Sequence, residues 1–417
     1  MHSTIDFVNT PVVDVVNQIL LDSARMGASD IHFDHSDACL KIRVRIDGLL
    51  NDYIDVPNSV KNNIVTRIKI ISGMNITETR LPQDGAIKTN LGGMDLDMRV
   101  STLPTKKGEK IVIRILDYSR SLQGIEYLLF SEDNYKKVLK MLEDPNGIIL
   151  VTGATGSGKS TTVYSFLQKL NVKGTNLITV EDPVEMDIEG INQVQVNSEI
   201  GLDFATVLRS ILRQDPNVIM IGEIRDSETA QIAVRASITG HLVLSTLHTN
   251  NSLTTIERLL DMDVERYLLA SALSGIVSQK LARKLCDKCK KIRPVTQYEK
   301  TMFQQYIGLD INEVYTPVGC SECSAGYKGR VAIQEVLLIS PDIRDAINAR
   351  ISKADLRHLV YNSNVITLLQ DGLYKVLAGF TSIEEIIKLT EADDEVNAET
   401  RVKAMQQQSQ TEVQKGV

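Results

Sequence analysis

The spacing of apolar and polar positions changes character along this chain. Between Pro11 and Gly27, the residues Val12, Val13, Val16, Ile19, Leu20 and Ala24 recur near helical spacing, which predicts a helix covering a core. Thr10 is placed to cap it, Pro11 fits its first turn and Gly27 fits its end. Ile31-His32-Phe33-Asp34 and Leu40 to Ile46 then read as strands; the second alternates strictly, has a basic outer face and ends in the turn pair Asp47-Gly48. A helical stretch over 60–72 follows, then a turn at Gln83-Asp84-Gly85, then alternating strands over 94–101 and 110–116. Residues 1–122 are therefore expected to form a small α+β domain on an antiparallel sheet.

From about Ser131 the pattern becomes strands alternating with helices. The runs 148–152, 177–180, 218–221 and 242–245 are apolar without alternation, as parallel strands covered on both faces should be. An α/β core over 131–266 is the expectation. From Tyr267 to residue 391 the chain reads as mostly helical, interrupted by a cysteine-bearing segment at 286–323. The tail over 392–417 is rich in Glu, Asp, Gln and Lys with few apolar residues and is expected to stay mobile.

Size and composition fit this division. At 417 residues the chain has room for two or more domains of about 150 residues each. Hydrophobic content of 43% with 24% charged residues supports a sizeable core. A net charge of -7 argues against wholesale nucleic-acid coating, and no direct nucleic-acid binding is expected. No stretch reaches the roughly 18 uncharged apolar residues of a membrane span, and the early chain carries acids where a leader would be basic and then apolar. A cytoplasmic protein is expected, held at any membrane by something else.

The chemistry centres on Gly153, Ala154, Thr155, Gly156, Ser157, Gly158, Lys159, Ser160 and Thr161, which follow the apolar run 147–151 and open a helix reaching about Leu170. This is the P-loop pattern GxxxxGK[ST] in the strand–turn–helix context it requires. Glycines let successive N–H groups converge on one anion, and the helix N-terminus adds partial positive charge. Lys159 can reach the terminal phosphates of a nucleoside triphosphate, and Ser160 can ligate magnesium.

Further phosphate-site elements follow. Val218-Ile-Met-Ile-Gly222-Glu223 ends an apolar strand in a carboxylate, where P-loop ATPases orient the attacking water. Glu181-Asp182-Pro183-Val184-Glu185 offers acids leaving another strand. Such acids are commonly just solvated, but the carboxyl end of an open α/β sheet gives them a second reading on the magnesium side. His248, just past the strand at 242–245, reads as a γ-phosphate sensor, with a satisfied structural histidine as the alternative, and His241 reads as structural. Cys286, Cys289, Cys320 and Cys323 form two CxxC pairs thirty residues apart, which suits a closed, structural four-sulfur zinc site. Disulfides are the alternative, and a cytosolic setting would keep them reduced. Cys39 reads as a small apolar residue.

Together these blocks resemble the type II secretion and type IV pilus assembly ATPases over roughly residues 10–390. The resemblance rests on Gly27-Ala-Ser-Asp-Ile-His32, Arg45-Ile-Asp-Gly48, Leu81-Pro-Gln-Asp-Gly85, Arg99-Val-Ser-Thr-Leu-Pro104 and Gly108-Glu-Lys110. It continues through the P-loop, Glu181-Asp-Pro-Val-Glu185, Leu212-Arg-Gln-Asp-Pro216, Gly222-Glu-Ile-Arg-Asp226 and Thr239-Gly-His241 to His248. It implies a PAS-like N-terminal α+β domain, then a RecA-like P-loop ATPase domain with a zinc insert and a helical C-terminal part. It implies that Glu185 serves magnesium, that Glu223 serves water, and that Arg99, Arg114, Arg209 and Arg213 meet the phosphates. The alternative for Arg99 and Arg114 is that they only solvate the polar face of their strands.

The tetracysteine insert goes, within the family, with extension motors. The expected activity is therefore ATP hydrolysis that powers assembly of a pilus or pseudopilus. The resemblance implies a homo-hexamer, peripheral at the inner membrane, working with a platform protein and pilin-like subunits. Extension motors often carry a further amino-terminal docking domain, and its lack here reads as a short member or a truncated chain. A retraction or DNA-uptake motor, or a nucleotide-binding scaffold with negligible turnover, are the alternatives.

Overall fold

In the computed structural model, residues 5–7, 9–116 and 124–390 are described. The tail expected to be mobile lies outside them. The chain divides into two units, 1–120 and 121–417.

Alternation builds the first unit. Its elements are α1 (Val12–Arg25), β1 (Ala28–His35), β2 (Cys39–Ile46), β3 (Leu49–Pro57), α2 (Asn58–Ile71), β4 (Gln83–Leu91), β5 (Met94–Thr105) and β6 (Gly108–Leu116). The strands form one antiparallel sheet in the order β3-β2-β1-β6-β5-β4. One face buries Ile31, Phe33, Ile42, Met98 and Ile113 against Ile19, Ile64 and Ile68 of the two helices. The other face is charged, with Arg43 and Lys110 both paired to Asp34.

Two local expectations fail here. Thr10 does not cap α1. Pro11 takes the position before the helix in an extended conformation, no side chain caps it, and the Pro11 carbonyl accepts from the N–H groups of Asp14 (2.9 Å) and Val15 (3.0 Å). Gln83-Asp84-Gly85 is not a turn but the start of β4. The hairpin turn is Gly92-Gly93, at φ +57° and +80°, between the paired residues Leu91 and Met94. Gly85 is needed for close approach instead: a Cβ there would stand 2.3 Å from the Ser72 carbonyl oxygen at the end of α2.

The second unit runs α3 (Glu132–Glu143), β7 (Gly147–Thr152), α4 (Lys159–Leu170), β8 (Leu177–Glu181), β9 (Asn192–Gln195), α5 (Phe204–Ile211), β10 (Val218–Ile221), α6 (Ser227–Ile238), β11 (Leu242–Leu247), α7 (Ser252–Asp261), α8 (Arg266–Ala272) and β12 (Leu273–Leu285). It continues with β13 (Lys291–Pro294), α9 (Gln297–Ile307), β14 (Glu313–Thr316), β15 (Tyr327–Leu338), α10 (Pro341–Asn348), α11 (Lys353–Asn362), α12 (Leu368–Leu377) and α13 (Ile383–Thr390). The main sheet has the order β15-β12-β7-β11-β10-β8-β9. It is parallel from β12 to β9, and β15 is antiparallel on the edge. Every residue of β7, β8, β10 and β11 is buried, which matches their unbroken apolar runs.

The stretch after Tyr267 is less helical than expected. It opens with α8 but then adds β12 and β15, two long strands, before the closing helices. In β12 the apolar residues Leu273, Ile276, Val277, Leu281, Ala282 and Leu285 recur about once per helical turn, singly or as adjacent pairs, which imitates a helix. Sheet position overrides that spacing, because the first half of β12 is buried between β7 and β15.

Gly85→Ala should destabilise the protein by about 2 kcal/mol, the usual cost of forcing an atom into a filled space. Chemical denaturation of the full chain measures it. An unchanged midpoint would mean that the end of α2 simply moves aside.

Candidate active site and metal centre

The parallel strands bring several loops to one edge of the second unit. Thr152 ends β7 in register with Leu247 of β11 and Ser278 of β12. The chain then bends through Gly153, Gly156 and Gly158 at φ +148°, +79° and +88°. At Gly153 no side chain fits, since a Cβ would lie 2.4 Å from the carbonyl oxygen of Gln279. Lys159 opens α4 and folds back: its buried ammonium donates to the carbonyls of Gly153 (2.8 Å) and Ala154 (3.1 Å). Burial pulls it below the usual lysine value, and the charge of Glu223 opposes that pull. Ala154, Thr155, Gly156 and Ser160 are exposed, with Thr161 half-buried behind them. The loop therefore offers its rim to solvent while its base is fixed.

Glu223 lies just past β10, with β11 standing between that strand and β7. Gly222 makes its approach possible. A Cβ there would come 3.3 Å from both the Glu181 Cα and the Val180 carbonyl oxygen, and the Gly222 N–H donates to that carbonyl at 2.7 Å. A side chain at 222 would require the end of β8 to give way slightly. The Glu223 carboxylate is mostly buried and pairs with Arg225 and with His248 Nε2, the latter at 3.1 Å. Arg225 also faces Asp182 at 3.5 Å. Burial pushes the Glu223 carboxyl up, but Arg225 first and His248 second outweigh it and hold the group below the ordinary carboxylate range. The structure thus gathers Lys159, Glu223 and His248. Arg225 belongs to the same cluster, and motif reading had left it without a role.

The acidic block separates by burial. Glu181 is spent internally, accepting from Tyr164, from Thr179 Oγ1 at 2.6 Å and from Gln193 Nε2 at 3.0 Å. Glu185 is half-buried, and its backbone N–H donates to the Tyr164 hydroxyl at 3.2 Å.

The arginines stand elsewhere. Arg209 pairs with Glu228 of α6. Arg213 donates to the Arg209 carbonyl at 2.8 Å and to Ser210 Oγ at 3.2 Å. It is one residue from Gln214, whose carbonyl accepts from Asn176 just ahead of β8. That places Arg213 at the amino end of the sheet, opposite the loop. Arg99 and Arg114 belong to the first unit and face one another in register on its charged sheet face. There Arg114 Nε donates to Asp30 Oδ1 at 3.0 Å.

A second centre sits between β12 and β15. The sulfurs of Cys286, Cys289, Cys320 and Cys323 all lie within 4.8 Å of one another. Cys286–Cys320, Cys289–Cys323 and Cys320–Cys323 are 4.0, 3.7 and 3.6 Å apart, and none is bonded to another. Zinc bound tetrahedrally at ~2.3 Å would space its sulfurs by about 3.8 Å. The donor set therefore fits such an ion. Cys39 is apart, half-buried beside Ser36 Oγ at 3.4 Å.

A glycine-turned loop between a buried parallel strand and a helix, a lysine folded onto it, and an ionised glutamate beyond the next strand but one define a P-loop ATPase. The comparisons sharpen the class. A family model described as type II/IV secretion system protein matches residues 8–388. The chain is 44% identical to the putative type II secretion system protein E of Escherichia coli K12, over 93% of this chain and 78% of that protein. It is 44% identical to the type IV pilus assembly ATPase PilB of Pseudomonas aeruginosa, over 92% of this chain and 68% of that one. Among solved structures it is similar to the pilus retraction motor PilT, at 26% identity and TM-score 0.61, covering 89% and 96% of the two chains. The Legionella pneumophila ATPase DotB shares the fold at TM-score 0.69 and 21% identity, covering 94% and 98%. The chain belongs to the type II/IV secretion system protein family, and it is an ATPase of that family. Among the described residues no helix is long and apolar enough to cross a membrane.

A carboxyl held low binds its proton later in the folded chain than in the unfolded one. The stabilisation it gives is present at pH 7 and is lost as pH falls through the lowered value. Arg225→Gln should bring Glu223 back toward the ordinary range and shrink the stability lost between neutral and acid pH. Denaturation midpoints of the variant and the wild type across that range test this, and identical acid limbs would contradict it.

Proposed function

We propose that this ATPase is the motor that powers assembly of a type IV pilus or a type II secretion pseudopilus. The observation that carries the reading is the match of over nine-tenths of the chain to relatives named for each of these two tasks. The solved retraction motor was crystallised with ADP, which supports a nucleotide as ligand of the equivalent loop. The outward-facing amides of the loop over 154–161 would grip the phosphates, with Lys159 released from its own carbonyls to meet them. Exposed Ser160 and half-buried Glu185 are the residues that would hold magnesium, which neutralises phosphate charge when bound. Glu223 orients the attacking water, and His248, bonded to it, reports on the terminal phosphate.

Arg99 and Arg114 are the residues of the first unit that would meet the phosphates, as guanidinium groups suited to that charge. Arg209 and Arg213 are further candidates to meet a phosphate, with the Arg213 guanidinium now turned back onto Arg209 and Ser210, and the chain would work as a homo-hexamer. The four cysteines would hold zinc as a structural ion between the end of β12 and the start of β15. The chain works at the cytoplasmic face of the inner membrane, with a platform protein and pilin-like subunits and without direct nucleic-acid contact. A retraction or DNA-uptake motor is the second reading, supported by the likeness to PilT. The cysteine centre favours extension. A scaffold without turnover would have no use for an ionised Glu223 set two strands from the loop.

Phosphate release tests this. Glu223→Gln should lower turnover by about 100-fold or more, the usual contribution of a base acting on water, while leaving ATP affinity nearly unchanged. Persistent turnover would remove Glu223 from its role, and no hydrolysis by the wild type in any oligomeric state would favour the scaffold. Elemental analysis should find about one zinc per chain, lost in Cys320→Ser; far less in the wild type would refute the metal assignment.

A further inference from the structure

The loop before α4 does not hold its shape alone. β12 runs on well past the level at which β7 turns. Ser278 pairs with Thr152, their hydroxyls lie 2.9 Å apart, and Gln279 comes next, beneath the loop. Gln279 is 1% exposed. Its Nε2 donates to the Ser157 carbonyl at 2.8 Å, and its Oε1 accepts from Thr162 Oγ1 at 2.8 Å. Its own backbone carbonyl fills the space that a side chain at residue 153 would need. One residue therefore meets the loop at its start, at its middle and at the first turn of the helix.

We propose that Gln279 is the positioning residue that aims the amides of the phosphate loop. The argument is peptide planarity. In a trans peptide the C=O and the following N–H point in opposite directions. Drawing the Ser157 carbonyl down onto Gln279 turns the Gly158 N–H the other way, toward the open side of the loop. That is the end of α4 where the helix carries its partial positive charge. Thr162 sets the amide's orientation: with its hydroxyl donating to Oε1, the donor end must face the loop. A carboxylate or an apolar side chain of the same length at 279 would leave the Ser157 carbonyl without a donor in a space closed to water. The peptide would then be free to rotate. Gln279 is 122 residues from Ser157, so no pattern near Lys159 reveals it.

The inference rests on the loop being the phosphate cradle, and the test separates the two. Equilibrium binding of a fluorescent ATP analogue and of ADP, with magnesium, is measured on the full chain for wild type, Lys159→Ala, Gln279→Met, Gln279→Glu and Thr162→Val, alongside melting temperature. Both substitutions at 279 should weaken ATP and ADP by about tenfold, and Thr162→Val by about threefold, as expected for loss of one buried hydrogen bond and of its orienting partner. Melting temperatures should fall only slightly, leaving every variant folded at the assay temperature, and KM should rise more than kcat falls. Wild-type affinity in Lys159→Ala would overturn the cradle itself. Impaired Lys159→Ala with normal binding in the Gln279 and Thr162 variants would overturn this inference alone. Binding loss that only tracks a lowered melting temperature would also overturn it, as a structural role. If Gln279→Met does not fold, Thr162→Val decides, and wild-type affinity there counts against the proposal.

Discussion

A loop that binds an anion through its backbone must solve one problem before any ligand arrives. Its carbonyls have to be satisfied on the protein side so that its N–H groups are left facing outward. Here the supports come from two strands and from the helix that follows the loop. The Leu247 carbonyl of β11 accepts the Gly153 N–H at 3.3 Å, Lys159 covers the carbonyls of Gly153 and Ala154, and Gln279 of β12 covers that of Ser157. Each support comes from a buried residue, and two of the three, Leu247 and Gln279, are fixed in the sheet. The glycines matter because the supports come so close.

The same sheet edge orders the charges. Parallel strands end together, so Glu223 and His248 emerge beside the loop without any dedicated connection between them. Arg225 keeps Glu223 ionised at the cost of partly neutralising it. Lys159 feels that carboxylate while being penalised by its own burial. The cluster thus sets two cations, Lys159 and Arg225, against the carboxylates of Glu223 and Asp182. The thiolate centre lies off the far end of β12, where two CxxC turns close the β12–β15 ribbon.

Much of this was legible in the sequence because the signals were local. The strands at 148–152, 177–180, 218–221 and 242–245 were unbroken apolar runs, and in the structure they are buried on both faces. The phosphate loop and the cysteine pairs likewise announce themselves by spacing of a few residues. What escaped was set by tertiary contact. Gly85 looked like a turn residue, yet it is the helix end behind it that excludes a side chain. β12 looked helical because burial by two neighbouring strands, not period, decides its conformation. Gln279 and Arg225 carried no motif of their own, since their importance lies in which carbonyl or carboxylate the fold places beside them.

Deuterium exchange of the loop amides with magnesium-ATP, against the same protein with adenosine, tests the central claim most directly. If outward-facing N–H groups grip the phosphates, the peptides covering residues 156–161 should gain protection with ATP and none with adenosine. Equal protection by both, or protection confined to other segments, would contradict the account.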